Sequence, residues 1–239
     1  MPVVRSLYRT LRSAPYGAVL RLRKGALAVL IATIPLAALA IAEPARAEPL
    51  RLVALGDSLT AGYGLPADAA FPVKLQQALK ARGHDVLIEN AGVSGDTASA
   101  GLARIDWSVP DGTQGVILEL GANDALRGID PAITKQALAD ALARLKARGI
   151  PVLLAGMRAP PNLGAAYAGR FDAIYPDLAA AAGVALYPFF LDGVAGQAKL
   201  NQPDGIHPTA AGVDVIVARM LPAVEVWLAG LKGGAKPGG

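Results

Sequence analysis

Two histidines occur in the 239-residue chain, His84 and His207. Imidazole is the side chain suited to carrying a proton near neutral pH, so a general base is sought first at these two positions. His207 lies in Asp204-Gly205-Ile206-His207-Pro208. One tight turn there can bring the carboxylate three residues upstream to the imidazole Nδ1, fixing the tautomer that leaves Nε2 free to accept a proton. Standing alone, such a pair is a common surface turn. His84 lies in Arg82-Gly83-His84-Asp85, at the entry end of a strand-like run and so at the wrong edge of a sheet for catalysis. Cysteine is absent, so no thiol can serve as nucleophile or zinc ligand and no disulfide can staple the fold. Whatever chemistry occurs uses oxygen or imidazole.

Three further positions could complete such a site. In Gly56-Asp57-Ser58-Leu59-Thr60-Ala61-Gly62 a serine leaves a strand-like run at a sharp turn, where backbone N–H groups would face whatever it attacks. Taken alone the motif reads more readily as an ordinary helix cap. Asn90-Ala91-Gly92-Val93-Ser94-Gly95-Asp96-Thr97 has glycines that let backbone approach a ligand, or is a plain loop. Leu118-Glu119-Leu120-Gly121-Ala122-Asn123-Asp124 offers a carboxamide donor, or is turn chemistry. The ordered set is more specific than its parts. Serine needs a neighbouring base, and a tetrahedral intermediate needs donors aimed at its oxyanion. Ser58, Asp204 and His207 could supply the first, and the Ser58 N–H, the Gly95 N–H and the Asn123 amide the second.

The elements that must carry these residues alternate. Short, nearly all-apolar runs at Leu50 to Gly56, Asp85 to Asn90, Gly115 to Gly121, Pro151 to Met157 and Val184 to Tyr187 predict strands buried on both faces. Between and after them, Pro72 to Arg82, Pro131 to Arg148, Ala166 to Ala182 and Thr209 to Leu231 predict helices, two of them followed by a glycine behind a basic last turn. This β-α-β order implies a parallel sheet of about five strands covered by helices. The candidate residues fall at strand exits, where open α/β sheets bind their ligands.

Four segments, GDSLTAGYGLP, NAGVSGDTASAGLAR, ELGANDALRG and DGIHP, together resemble the four blocks of the SGNH or GDSL hydrolases over roughly Leu50 to Trp227. The likeness is greatest to the branch of periplasmic thioesterases, lysophospholipases and arylesterases. It implies a three-layer α/β/α flavodoxin-like fold. It also implies a catalytic Ser58, Asp204 and His207, an oxyanion hole of Ser58, Gly95 and Asn123, and hydrolysis of a small-molecule acyl ester or thioester without metal or cofactor. The loop after Asn123 and the segment Met157 to Ala168 are then expected to border an acyl groove, with Leu126, Ile129, Pro160 and Leu163 among its apolar residues. Asp57 and Asp96 are expected to support turns. A carbohydrate acetylesterase on the same scaffold, or a non-catalytic periplasmic binding protein, are the competing readings.

The chain start has a different character. Arg5, Arg9, Arg12, Arg21, Arg23 and Lys24 precede an apolar run from Gly25 to Ile41, and Ala45-Arg46-Ala47 offers the small residues a signal peptidase reads. Residues 1 to 47 are therefore expected to be a signal peptide, and the protein periplasmic or secreted without a lasting membrane anchor. The first 47 residues hold seven Lys or Arg and one acid, leaving 16 basic and 18 acidic residues beyond them. The sequence pI near 9.4 is therefore a property of the leader, and nucleic acid is excluded as a partner. Residues 48 to 231 form the expected single domain, as a monomer, and the Gly/Pro-rich 232 to 239 an expected disordered tail.

Overall fold

The structure is a computed structural model that describes residues 48–234. The leader expected over residues 1 to 47 lies outside the described residues, as does most of the expected tail. Strands β1 (Leu50–Gly56), β2 (Val86–Gly92), β3 (Gly115–Glu119), β4 (Val152–Ala155) and β5 (Ala185–Tyr187) form one sheet in the order β2-β1-β3-β4-β5. Every pairing is parallel. The helices are α1 (Ser58–Ala61), α2 (Phe71–Ala81), α3 (Ala98–Ala103), α4 (Ile105–Ser108), α5 (Ala122–Leu126), α6 (Pro131–Ala147), α7 (Ala165–Asp172), α8 (Ile174–Ala182) and α9 (Ala210–Gly234).

Packing separates the longer helices into two groups: α2 against α9, and α6 against α3 and α8. These are the two outer layers of an α/β/α sandwich, with β1, β3 and β4 buried between them. Leu52, Leu55, Ile117 and Leu118 are fully buried there, which is why these strands read as unbroken apolar runs. Edge strand β2 instead alternates, hiding Val86 and Ile88 and exposing Leu87. The strand order reverses after β2, whose chain crosses beyond β1 to enter β3. A crevice therefore opens at the carboxyl ends of β1 and β3, the switch point where doubly wound sheets bind ligands.

Several boundaries differ from expectation. The helix predicted over Ala166 to Ala182 is two helices, with Ala173 between them. Pro176 accounts for the break: it has no N–H to donate, and its ring would collide with the carbonyl four residues earlier, that of Asp172. The last helix runs to Gly234, so Lys232 to Gly234 are helical where a disordered tail was expected. Strands β3 and β4 end two residues early. A helix start at Ser58 was expected and is α1; the short helices α3, α4 and α5 were not foreseen, being too brief to show a 3.6-residue period.

Candidate active site

Ser58 is the first residue of α1, immediately beyond the β1 exit. Asp57 caps that helix: its Oδ1 accepts the Leu59 N–H at 2.9 Å. The β2 exit presses on the same turn, since a Cβ at Gly92 would run into the backbone of Asp57 and Ala61. No larger residue fits there. Gly95, three residues on, has a φ of +89°, the left-handed conformation that glycine adopts without strain.

His207 reaches this turn from the loop between β5 and α9. Its Nε2 lies 2.9 Å from Ser58 Oγ, and its Nδ1 lies 2.7 Å from Asp204 Oδ2. Asp204 Oδ1 also accepts the backbone N–H groups of Ile206 and His207, each at 3.0 Å. Bonding from the His207 ring and these two amides lowers the Asp204 pKa to about 2. A carboxylate held in that state fixes the ring with Nδ1–H donating to Asp204, which leaves Nε2 to accept from the serine hydroxyl. The Tyr63 ring lies against the imidazole at 4.6 Å between centroids. Gln202 Nε2 donates to the carbonyls of Tyr63 at 2.7 Å and Pro208 at 2.9 Å, tying the His207 loop to the segment that follows α1. Neither Tyr63 nor Gln202 had been singled out from sequence. His84 is remote from this cluster and pairs with Glu225 of α9 at 3.2 Å.

The three expected oxyanion donors are not equivalent. Among the described residues, no protein acceptor takes the N–H of Ser58 or of Gly95. The Asn123 amide is already engaged, donating to Asp57 Oδ2 at 3.1 Å and to the Asp96 carbonyl at 3.0 Å. It could reach an oxyanion only by sharing or releasing one of these bonds.

A buried polar layer lies beneath. Asp96 pairs with Arg104 at 2.6 Å, and Arg104 also donates to the Gly56 carbonyl at 2.8 Å and to Ser108 Oγ at 2.9 Å. Asp57 and Asp96 thus support turns, as expected. Glu119, fully buried at the end of β3, accepts from Thr60 Oγ1 at 2.7 Å and from the Asp57 N–H at 3.3 Å through Oε2. Its Oε1 has no partner. Burial, together with the nearby Asp57 charge, pushes the Glu119 carboxyl well above its ordinary range. Burial likewise raises the Asp57 pKa to about 6, against the lowering effect of its bonds from Leu59 and Asn123. Sequence offered one signal for this layer, an acid inside the apolar run Val116-Ile117-Leu118-Glu119-Leu120.

A cavity of about 370 Å³ opens over Ser58, Asn123 and His207. Of the residues expected to border an acyl groove, Leu126 and Pro160 line it, as does Pro161; Ile129 and Leu163 do not. The Ile129 carbonyl accepts from the Tyr167 hydroxyl of α7 at 2.7 Å. Leu163 is half-buried in a short 3-10 turn, Pro161–Leu163. Met157, at the start of the segment expected there, lines it too, and Phe189, Leu191 and Ile206, which sequence reasoning missed, complete the apolar lining. Gly95 is not among the residues that line the cavity.

The match to the GDSL-like lipase/acylhydrolase family spans residues 54–215, from β1 through the His207 loop into α9. The chain belongs to that family. Esterase TesA of Pseudomonas aeruginosa is 39% identical over 175 residues, 73% of this chain and 87% of the relative. An arylesterase of Vibrio mimicus is 41% identical over 159 residues, 66% of this chain and 80% of the relative. Among solved structures, AlinE4, an SGNH-hydrolase family esterase, superimposes with a TM-score of 0.64 at 49% identity, covering 75% of this chain and 96% of its own. The chain is accordingly a hydrolase of the GDSL type, and its five-stranded sheet is that family's fold.

Proposed function

We propose that the protein is an exported serine esterase acting on acyl esters and thioesters through an acyl-Ser58 intermediate. The carrying observation is the hydrogen-bonded chain from Asp204 through His207 to Ser58. His207 takes the hydroxyl proton as Ser58 Oγ attacks the acyl carbon. Asp204 stabilises the resulting imidazolium, and the Ser58 and Gly95 N–H groups, with Asn123, take up the oxyanion charge. Collapse of the tetrahedral intermediate breaks the bond to the leaving alcohol or thiol, which receives the proton from His207. Water, activated by the same imidazole, then releases the acid.

The apolar wall formed by Leu126, Met157, Pro160 and Leu191 favours an acyl chain longer than acetyl over an acetylated sugar, whose hydroxyls would need partners there. Export is supported by the basic-then-apolar leader ending in Ala45-Arg46-Ala47.

The test is a rate profile on p-nitrophenyl esters from acetyl to palmitoyl. Ser58→Ala should lower kcat by on the order of 10⁴-fold or more while leaving the unfolding transition in place. Retained turnover in that variant would remove Ser58 as the nucleophile. Activity confined to acetyl would favour the acetylesterase reading.

A further inference from the structure

Arg158 leaves the sheet at the exit of β4 and lines the same cavity as Ser58 and His207. Its guanidinium lies over the ring of Phe189, 4.9 Å from the centroid, and Phe189 comes from the neighbouring exit, that of β5. Stacking occupies the flat face of a guanidinium and leaves its N–H edge free to donate.

Elsewhere around the site the arginines are committed. Arg104 pairs with Asp96, Arg127 donates to the Gly95 carbonyl at 2.8 Å, and Arg170 pairs with Asp130. Arg158 stands apart: among the described residues it has neither a carboxylate within 4.0 Å nor a hydrogen-bond acceptor, and its one polar contact is the Phe189 ring. No aspartate or glutamate lines the cavity either. An oriented cation in a wall that is mostly apolar and holds no carboxylate suits an anion that arrives attached to an apolar substrate.

We propose that Arg158, seated on Phe189, is a subsite for an anionic group, phosphate or carboxylate, carried by the ester or thioester. The proposal rests on the esterase reading and adds a selectivity to it: charged esters are preferred over neutral ones with the same acyl chain. Planar, two-pronged donation from the guanidinium fits both kinds of oxyanion. A phosphate could belong to a lipid headgroup or to a nucleotide-bearing thiol, so each source has its own matched pair of substrates.

The experiment measures kcat/KM for octanoyl esters and thioesters in pairs. One pair is 1-octanoylglycerol 3-phosphate against 1-octanoylglycerol. The other is octanoyl-coenzyme A against octanoyl-N-acetylcysteamine. The wild type should favour the charged member of at least one pair, and the responsive pair identifies the source. Arg158→Ala should reduce that charged-to-neutral ratio roughly 10- to 100-fold, chiefly through KM, as expected for loss of a charge-assisted hydrogen bond. Arg158→Lys should keep part of the preference, and Phe189→Leu should lower it less than Arg158→Ala does. Added salt should erode the wild-type preference and leave the Arg158→Ala ratio nearly flat. A ratio near one in the wild type, or an Arg158→Ala variant that slows both members of each pair equally, would overturn the subsite. Failure of the wild type on p-nitrophenyl octanoate as well would instead take down the esterase reading on which the subsite depends.

Discussion

The Asn123 amide donates to Asp57 Oδ2 at 3.1 Å, so a proposed oxyanion donor is bound in the resting site to the carboxylate that caps the nucleophile's helix. Asp57 thereby sets both the start of α1 and the aim of Asn123. Because the donor acts on charge that develops in the transition state, Asn123→Ala should lower kcat by about 10²- to 10³-fold with a smaller change in KM. Steady-state kinetics on a medium-chain p-nitrophenyl ester separate the two. A rise in KM at unchanged kcat would mean that Asn123 binds ground state and transition state alike.

His84 pairs with Glu225 on the far side of the α2–α9 layer. His84→Ala should leave kcat/KM within about twofold and cost less than about 1 kcal/mol in a denaturant titration, as for most part-exposed polar pairs. A large loss of activity would mean that the wrong histidine was chosen as base.

Glu119 titrates well above the ordinary 4.5 because it is buried beside Asp57. The folded protein therefore holds this proton more tightly than the unfolded chain does. Stability from this group is complete below about 4.5 and is lost progressively as pH rises through the elevated folded value. Glu119→Gln keeps an acceptor for Thr60 and removes the ionisation. Unfolding free energies measured from pH 5 to 9 should fall less steeply in the variant than in the wild type. Parallel curves would show that Glu119 makes no contribution to the slope.

Arg104 is 7% exposed at its side chain and its partner Asp96 is 14%. Arg104→Met should cost roughly 3 kcal/mol, because it leaves the largely buried Asp96 carboxylate uncompensated. The Asp96 carbonyl accepts from Asn123, so kcat should fall alongside stability. Calorimetry and kinetics on the same preparation test the link. Lost stability with intact turnover would detach the pair from the site.

The strands that position the site were legible because both faces of β1, β3 and β4 are buried, which leaves no polar residue to break the run. β1 was read to its observed ends, Leu50–Gly56. His207 was legible by elimination, with Asp204 at a fixed local spacing. Lining residues were harder to see, because apolarity in a loop does not reveal direction. Leu126 and Pro160 line the cavity, while Ile129 does not. The Arg158–Phe189 stack was beyond reach, since it depends on two strand exits lying side by side and the residues are 31 positions apart. Glu119 was in view inside an apolar run, but only the sheet shows that it is fully buried.

Asp204 and His207 ride together on one loop, and their bonded contact with the nucleophile is the single 2.9 Å approach of Nε2 to Ser58 Oγ. The machinery is thus built in two pieces, a nucleophile fixed to the core and a prefabricated acid–base unit that docks on it. Gln202 and the Tyr63 ring act as the latch. On warming, loosening of that latch would disengage the whole acid–base unit at once while leaving the sheet untouched. Catalysis should therefore disappear at a temperature below that at which the fold melts.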